Sequence, residues 1–502
     1  MKRNKLDLHE IVIVVLAIFS VMIFSSAGFC SERPNWINIA LSGSPRTFKP
    51  WEINDAVSSS VFQNNVYECL FRYGENRQVI EPCLATGWSV KDAGRVWIFE
   101  LRQDVHFHDG SVMTAEDVVE SFKRTHRFTG RIEAIGKNRV KVSFTEKMAN
   151  FLESVTQVYY SIVRVSGDGR VIGTGPFEVT DWEPERKIVL RPFRQYWGGT
   201  QKIDGATFYC SVDSLDAVKR IESGAVDIID IVPPEFVSRL QDNPDIEVSV
   251  RRGVNISFVL LNDSNPPLDN LEFRKALNMA IDKKNLIRDI YKGEAVPCKG
   301  LLPPALGGMA GDTDFQEEEY NMSEARNIIH RYVGEKSRVF KMVGLPFPRP
   351  YCPNPQGMAR IIAGYLRSAG INIRYYPTRS FDDFDKYLKS GDYDMVIAGW
   401  IIDSNDPDDF FTPIFGIGEV ASDFGQVWKT PEFESLILRA RETISLKSRW
   451  QLYMKAEDLF YKDMPWILIA YPNLIGAYRR TVKGFAISPT GEMRLLGVEK
   501  TQ

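Results

Sequence analysis

The chain has little with which to hold a metal or attack a bond. Its 502 residues include only five histidines and six cysteines. No C-x-x-C pair occurs, so zinc-ribbon and thioredoxin-like sites are not indicated. G-x-S-x-G and H-E-x-x-H are both missing, which argues against an exported hydrolase. G-x-x-x-x-G-K-[ST] is also missing, so the chain brings no P-loop of its own. With 62 basic and 65 acidic residues the net charge is −3, which excludes the basic footprint of a nucleic-acid binder. Beyond residue 29 no apolar run reaches membrane-spanning length, and there is no internal repeat or low-complexity tract. The weakest stretch is 303–319, rich in Pro and Gly and then acidic, which reads as a surface link within a lobe.

The exception to that polarity is the start. Lys2, Arg3 and Lys5 precede an apolar stretch at 11–24, followed by Ser25, Ser26 and Ala27. This is the charge, core and small-residue pattern of a secretory signal over residues 1–30, with cleavage after Ala27 and export to the periplasm. An uncleaved membrane anchor is the alternative, because 11–29 is nearly long enough to span a bilayer. Phe29 stands where a lipoprotein site before Cys30 wants a small residue. Of the five later cysteines, Cys69 and Cys83 are nearest in sequence, and an odd count leaves at least one thiol unpaired in a monomer.

What is present in strength is a β-α-β-α-β pattern over 339–400. Residues 339–345 form a short apolar run closed by Gly344 and Pro346. Met358, Ile361, Ile362, Tyr365, Leu366 and Ala369 then recur at helical spacing, and Gly370 stops them. Ile371, Ile373 and Tyr375 alternate as a strand does, 381–390 is a second helix, and 395–400 returns to sheet. This order requires a parallel sheet, which binds ligands beyond the carboxyl ends of its strands. Arg349 follows the first strand and Asp403 the third. A cation and an anion at one sheet edge suit a zwitterion whose charges are far apart, such as a short peptide. Trp400 either stacks on such a guest or floors the cleft. The prolines at 346, 348, 350, 353 and 355 stiffen the loop that holds Arg349. Cys352 reads as a small buried filler more than as a ligand contact. Asp406, Asp408 and Asp409 compete with Asp403, and the latter two also read as caps ahead of Phe410 and Phe411.

Elsewhere, Asp109-Gly110 gives a tight turn, and Thr114 caps a helix whose first turn carries Glu116 and Asp117. Leu101, Val105 and Phe107 have the spacing of one strand face. His106 and His108 form an H-x-H, but no nearby Cys completes a ligand set, so a packing role is expected. Phe273, Leu277, Ala280, Ile281 and Ile287 form an apolar helix stripe with Asp269 placed to cap it.

Four blocks carry a family resemblance: 89–124 with its Phe-His-Asp-Gly turn and Thr-Ala-Glu-Asp-Val; GTGPFEV at 173–179 with RQYWGG behind it; PPLDNLEFRKALNMAIDKKNLI at 266–287, followed by GLLPPALGG; and GDYDMVIAGWIIDSNDPDDFF at 391–411. In this order they resemble the extracytoplasmic solute-binding proteins of ABC importers, family 5, the peptide and nickel class. The resemblance implies an α/β, two-lobed periplasmic-binding-protein fold of the class with an extra domain, with mixed and parallel sheets, flanking helices and a hinge. It places a discontinuous first lobe at 34–60, 172–260 and 475–502, the extra domain at 61–171, and a second lobe with the ligand site at 261–474.

The pocket motifs resemble those of the dipeptide-binding members. In RPYCPN, Arg349 matches the arginine that holds a peptide carboxylate; in GWIIDSNDP, Asp403 matches the aspartate that holds the ammonium. The match departs at Cys352, where asparagine is usual, and one extra residue separates the two charges. Ser42 and Gly43, after the first mature strand, resemble a loop bordering the same cleft, whose backbone could bond an extended guest. The implied function is binding without catalysis or cofactor: a monomer that captures di- to oligopeptides and delivers them to ABC permease subunits in the membrane. Nickel chelate, haem, glutathione and oligosaccharide are the alternative cargoes on the same fold.

Overall fold

The computed structural model describes residues 35–74, 79–310, 319–333, 338–402, 404–418, 420–425 and 427–501. The expected signal, Cys30 and Asp403 therefore lie outside the described residues, as do 311–318 of the surface link.

One twelve-stranded sheet organises the chain. Its strands are β1 Trp36–Ala40, β2 Phe177–Glu183, β3 Lys187–Pro192, β4 Gly205–Tyr209, β5 Ile228–Ile229, β6 Ile246–Arg252, β7 Asn255–Leu261, β8 Ala295–Pro297, β9 Phe340–Gly344, β10 Ile373–Pro377, β11 Met395–Ile401 and β12 Trp466–Arg479. The order is β2-β3-β4-β1-β5-β12-β7-β11-β9-β10, with β6 and β8 also paired to β12. The helices used below are α1 Ala115–Arg124, α2 Leu271–Met279, α3 Pro355–Ser368, α4 Phe381–Ser390, α5 Asp408–Phe415, α6 Pro431–Glu442 and α7 Leu446–Asp463.

β12 belongs to both halves of this sheet. Its first residues pair with β7, Trp466 opposite Leu260, and its last with β6, Arg479 opposite Ile246. The main chain thus crosses between halves twice, at Gly253–Val254 and at Pro472–Asn473. Gly253 is required there: a Cβ would lie 2.0 Å from the Asn255 Oδ1 and 2.9 Å from the Pro472 carbonyl. Apolar side chains follow these divisions. One core gathers β1, β3 and β4 with Met493 and Leu495, and a smaller one lies behind β5. A third lies within residues 70–162, around a separate four-stranded sheet, and the largest spans 254–471.

The β-α-β-α-β unit forms as its periodicity requires. β9 pairs in parallel with both β10 and β11, and α3 and α4 connect them. β7 and β11 are apolar almost throughout because both faces of the sheet are covered. Asn354 accepts from the Gly357 amide to start α3, and Ser380 from the Asp383 amide to start α4.

Two local readings are corrected. The strand through Leu101 ends there, and Val105 and Phe107 are buried from the turn that follows. α2 is capped by Asn270, whose side chain accepts from Glu272 and Phe273, and not by Asp269. Thr114 does cap α1, in a reciprocal box with Asp117.

Candidate functional site

Arg349 leaves the carboxyl end of β9 in a tight loop. Its amide donates to the Cys352 carbonyl at 3.0 Å, and the Cys352 amide donates back at 2.8 Å. Cys352 is fully buried, its sulfur 3.8 Å from that of Met358, so it anchors the loop as a filler residue. The Arg349 guanidinium lies 4.5 Å from the centre of the Phe381 ring, at the start of α4. A narrow hollow of about 20 Å³ between the two halves of the sheet is lined by Arg349, Tyr291 and Glu294 on one side, Ile231 and Pro234 on the other, and Asn473 of β12. Arg349 thus faces the interlobe gap beside the crossing strands.

Trp400, near the end of β11, is half-buried with its ring 5.9 Å from that of Phe424. Its indole N–H is buried and has no partner among the described residues. Across the gap, Ser42 and Gly43 follow β1. The Ser42 amide and hydroxyl both donate to the Asp230 carboxylate, at 3.0 and 2.9 Å, and the Gly43 carbonyl accepts from the Ser211 amide at 3.0 Å. Burial pushes the Asp230 carboxyl up to about 6, against the lowering effect of its bonds from Ser42 and Ile231.

The acidic loop after β11 is occupied by structural partners. Asp406 accepts from the Tyr453 hydroxyl at 2.7 Å and pairs with Arg449 at 3.1 Å. Asp408 pairs with Arg441 at 2.9 Å and accepts from Asn150 at 3.1 Å. Asp409 accepts from the Ser404 amide at 2.9 Å. α5 starts at Pro407 without a side-chain cap, so Asp408 and Asp409 serve as ion-pair and loop partners instead.

Of the H-x-H pair, the half-buried His108 ring bonds the Gly175 carbonyl at 3.1 Å, and desolvation lowers its pKa to about 4. Cys69 and Cys83 are both buried and are not bridged.

Sequence reasoning passed over two residues at this gap. Asp230 follows β5 in the run DIIDIVPP, an acid after a strand as Asp403 is, and that placement was the available signal. Arg46 reaches from the first half to Asp382 at 3.2 Å, and its guanidinium lies 5.7 Å from the Phe381 ring. One arginine from each side therefore meets the same ring, a convergence that has no local sequence signal.

The model of the bacterial extracellular solute-binding proteins, family 5 Middle, matches residues 79–422. A dipeptide-binding protein of Escherichia coli (strain K12) is 26% identical over 508 residues, 92% of each chain. Heme-binding protein A of Haemophilus influenzae is 25% identical over 510 residues, 93% of each. Among solved structures, the periplasmic binding protein DppA from Helicobacter pylori in complex with the peptide STSA superposes with a TM-score of 0.82 at 24% identity, covering 93% of this chain and 98% of that one. NikA from Staphylococcus aureus in complex with Ni(L-His)2 gives 0.79 at 22% identity, over 91% and 97%. These likenesses establish the two-lobed periplasmic-binding-protein fold.

Proposed function

The chain belongs to the bacterial extracellular solute-binding proteins of family 5, and from that premise we propose that it captures short peptides between its lobes for an ABC importer. The observation that carries this reading is Arg349, whose planar fork faces the interlobe gap from a braced loop, beside the two crossings of the main chain. A guanidinium so held bonds a terminal carboxylate bidentately. Asp403, two residues after β11 in the sequence, takes the ammonium, and Trp400 stacks along the guest between them. Ser42 and Gly43 border it from the first lobe.

With the lobe boundaries drawn at the two crossings, the first lobe is 34–60 with 172–253 and 473–502 and the second is 254–472; residues 61–171 are an extra domain. A guest that contacts both lobes favours the closed form and dries the gap, which strengthens both terminal ion pairs. The chain acts as an exported monomer, led out by residues 1–30, and passes intact peptide to membrane permease subunits. The relative named for dipeptides supports this cargo, whereas the relative named for haem and the neighbour holding Ni(L-His)2 represent the alternatives.

Calorimetric titration with a dipeptide, a nickel–histidine complex and haem decides among them. Dipeptide at a hundredfold over its dissociation constant stabilises the fold by about 2.7 kcal/mol. Saturable binding of nickel complex or haem with no peptide response overturns the reading. Peptide recovered intact after prolonged incubation distinguishes binding from hydrolysis.

A further inference from the structure

A buried ion cluster ties the extra domain to the loop that follows β11. Arg449 of α7 has a side chain only 4% exposed and faces two acids: Asp406 at 3.1 Å, itself 3% exposed, and Glu153 at 3.2 Å, 20% exposed. Asp406 lies in the loop 404–409, whereas Glu153 lies in the short helix Phe151–Ser154 beyond the separate four-stranded sheet. The same two bodies meet again at each side of this cluster. The Asn405 amide donates to the Tyr73 hydroxyl at 3.0 Å, the Asn150 amide group to Asp408 at 3.1 Å, and the Ala149 amide to the Arg441 carbonyl at 2.8 Å. The Arg449 Nη1 is buried without a partner among the described residues, so the guanidinium retains a donor beyond its two acids.

We propose that Glu153 is a positioning residue: as the lobes close it docks on Arg449 and, through Asp406, locks the loop 404–409 beside the ammonium end of the guest. This rests on the reading of the chain as a closing binder whose ammonium ligand, Asp403, immediately precedes that loop in sequence. Glu153 belongs to the extra domain, which travels with the first lobe, so opening separates it from Arg449 and returns it to water. Arg449, Asp406 and Tyr453 stay together in the second lobe, with the Arg441–Asp408 pair beside them.

Closure therefore brings a second carboxylate to a guanidinium that already holds one. Around Glu153 stand Arg449 from α7, Asp406 from the loop with Tyr453 bonded to it, and Asn150 from its own segment. Burial, then the charge of Asp406, holds the Glu153 carboxyl above the ordinary range, at about 7, with Arg449 opposing. A carboxyl raised in the closed form and ordinary in the open one takes up a proton on closing. Closure, and with it guest affinity, is then strengthened as pH falls through 7 and weakened as pH rises.

The test uses the whole mature chain and the dipeptide Ala-Ala, titrated calorimetrically at pH 6 and pH 8, in wild type and in Glu153→Gln. The peptide's amine titrates in this window too, but identically for both proteins. The affinity ratio between the two pH values is expected to be about tenfold larger in wild type than in the variant, from the shift in one carboxyl. Equal ratios overturn the proposal. Solution scattering of the ligand-free chain supplies an arm independent of cargo: wild type becomes more compact from pH 8 to pH 6, and Glu153→Gln does not change. If neither protein binds Ala-Ala, the peptide reading fails, and the scattering difference still decides the latch, its absence refuting it.

Discussion

Replacing Arg349 by Ala removes two separable terms. The first is the stack of the guanidinium on Phe381, 4.5 Å from ring centre at a half-exposed position, worth about 0.5–1 kcal/mol. The second is a pair of charge-assisted hydrogen bonds to the guest carboxylate, worth about 1.5–3 kcal/mol together. Only the second acts on the complex alone, because the stack is present in the empty chain as well. The expected loss of dipeptide affinity is thus about 1.5–3 kcal/mol, roughly 10- to 150-fold. Arg349→Lys keeps the charge but loses the planar fork, and should lose about half as much. Calorimetry with Ala-Ala and with its C-terminal amide checks the assignment: the amide should bind wild type about as weakly as the acid binds Arg349→Ala. The fold should lose no more than about 1 kcal/mol, since the loop is held by its own backbone bonds to Cys352. An Arg349→Ala protein that binds Ala-Ala within twofold of wild type refutes the carboxylate assignment.

Glu457 is fully buried, and its Oε1 accepts from the Leu301 and Leu302 amides while Oε2 has no partner among the described residues. Burial raises its carboxyl to about 7, above the unfolded value, so the native state binds the extra proton. Its contribution is complete at low pH and is lost as pH rises from about 4.5 to 7, about 3 kcal/mol in all; Glu457→Gln should flatten that part of the stability curve measured by urea unfolding. Gly253→Ala puts a methyl against Asn255 and the Pro472 carbonyl at the crossing, and should destabilise by about 1–3 kcal/mol in the same assay. Trp466 stacks on Phe258 at 4.6 Å and on Phe415 at 4.9 Å, so Trp466→Ala should lower stability by about 3–5 kcal/mol.

Much of the second lobe was legible because its signals are local. The apolar run before Gly344, the helical spacing from Met358 to Ala369 and the alternation around Ile373 each specify an element within a dozen residues, and their order alone makes the sheet parallel. Thr114, with Asp117 in the first turn of α1, is a cap for the same reason. The caps misassigned nearby show the limit of such reasoning. Asp269 and Asn270 are both competent, and the turn before α2 selects the second. Asp408 and Asp409 look like caps in sequence but are drawn away by Arg441 and by the Ser404 amide.

By itself the sequence determined the family, the β-α-β-α-β unit and the position of one arginine at a strand's carboxyl end, because periodicity, turn chemistry and ordered motifs are properties of neighbouring residues. Only the tertiary structure decided which charges meet. It joined both lobes through the β6–β7 crossing and the strand β12, brought Arg46 and Arg349 to one phenylalanine ring, and enclosed Glu153 and Asp406 around Arg449. Those partners lie far apart in the chain, and their pairing is selected by topology and by the energy of leaving a buried charge alone, neither of which a local pattern encodes.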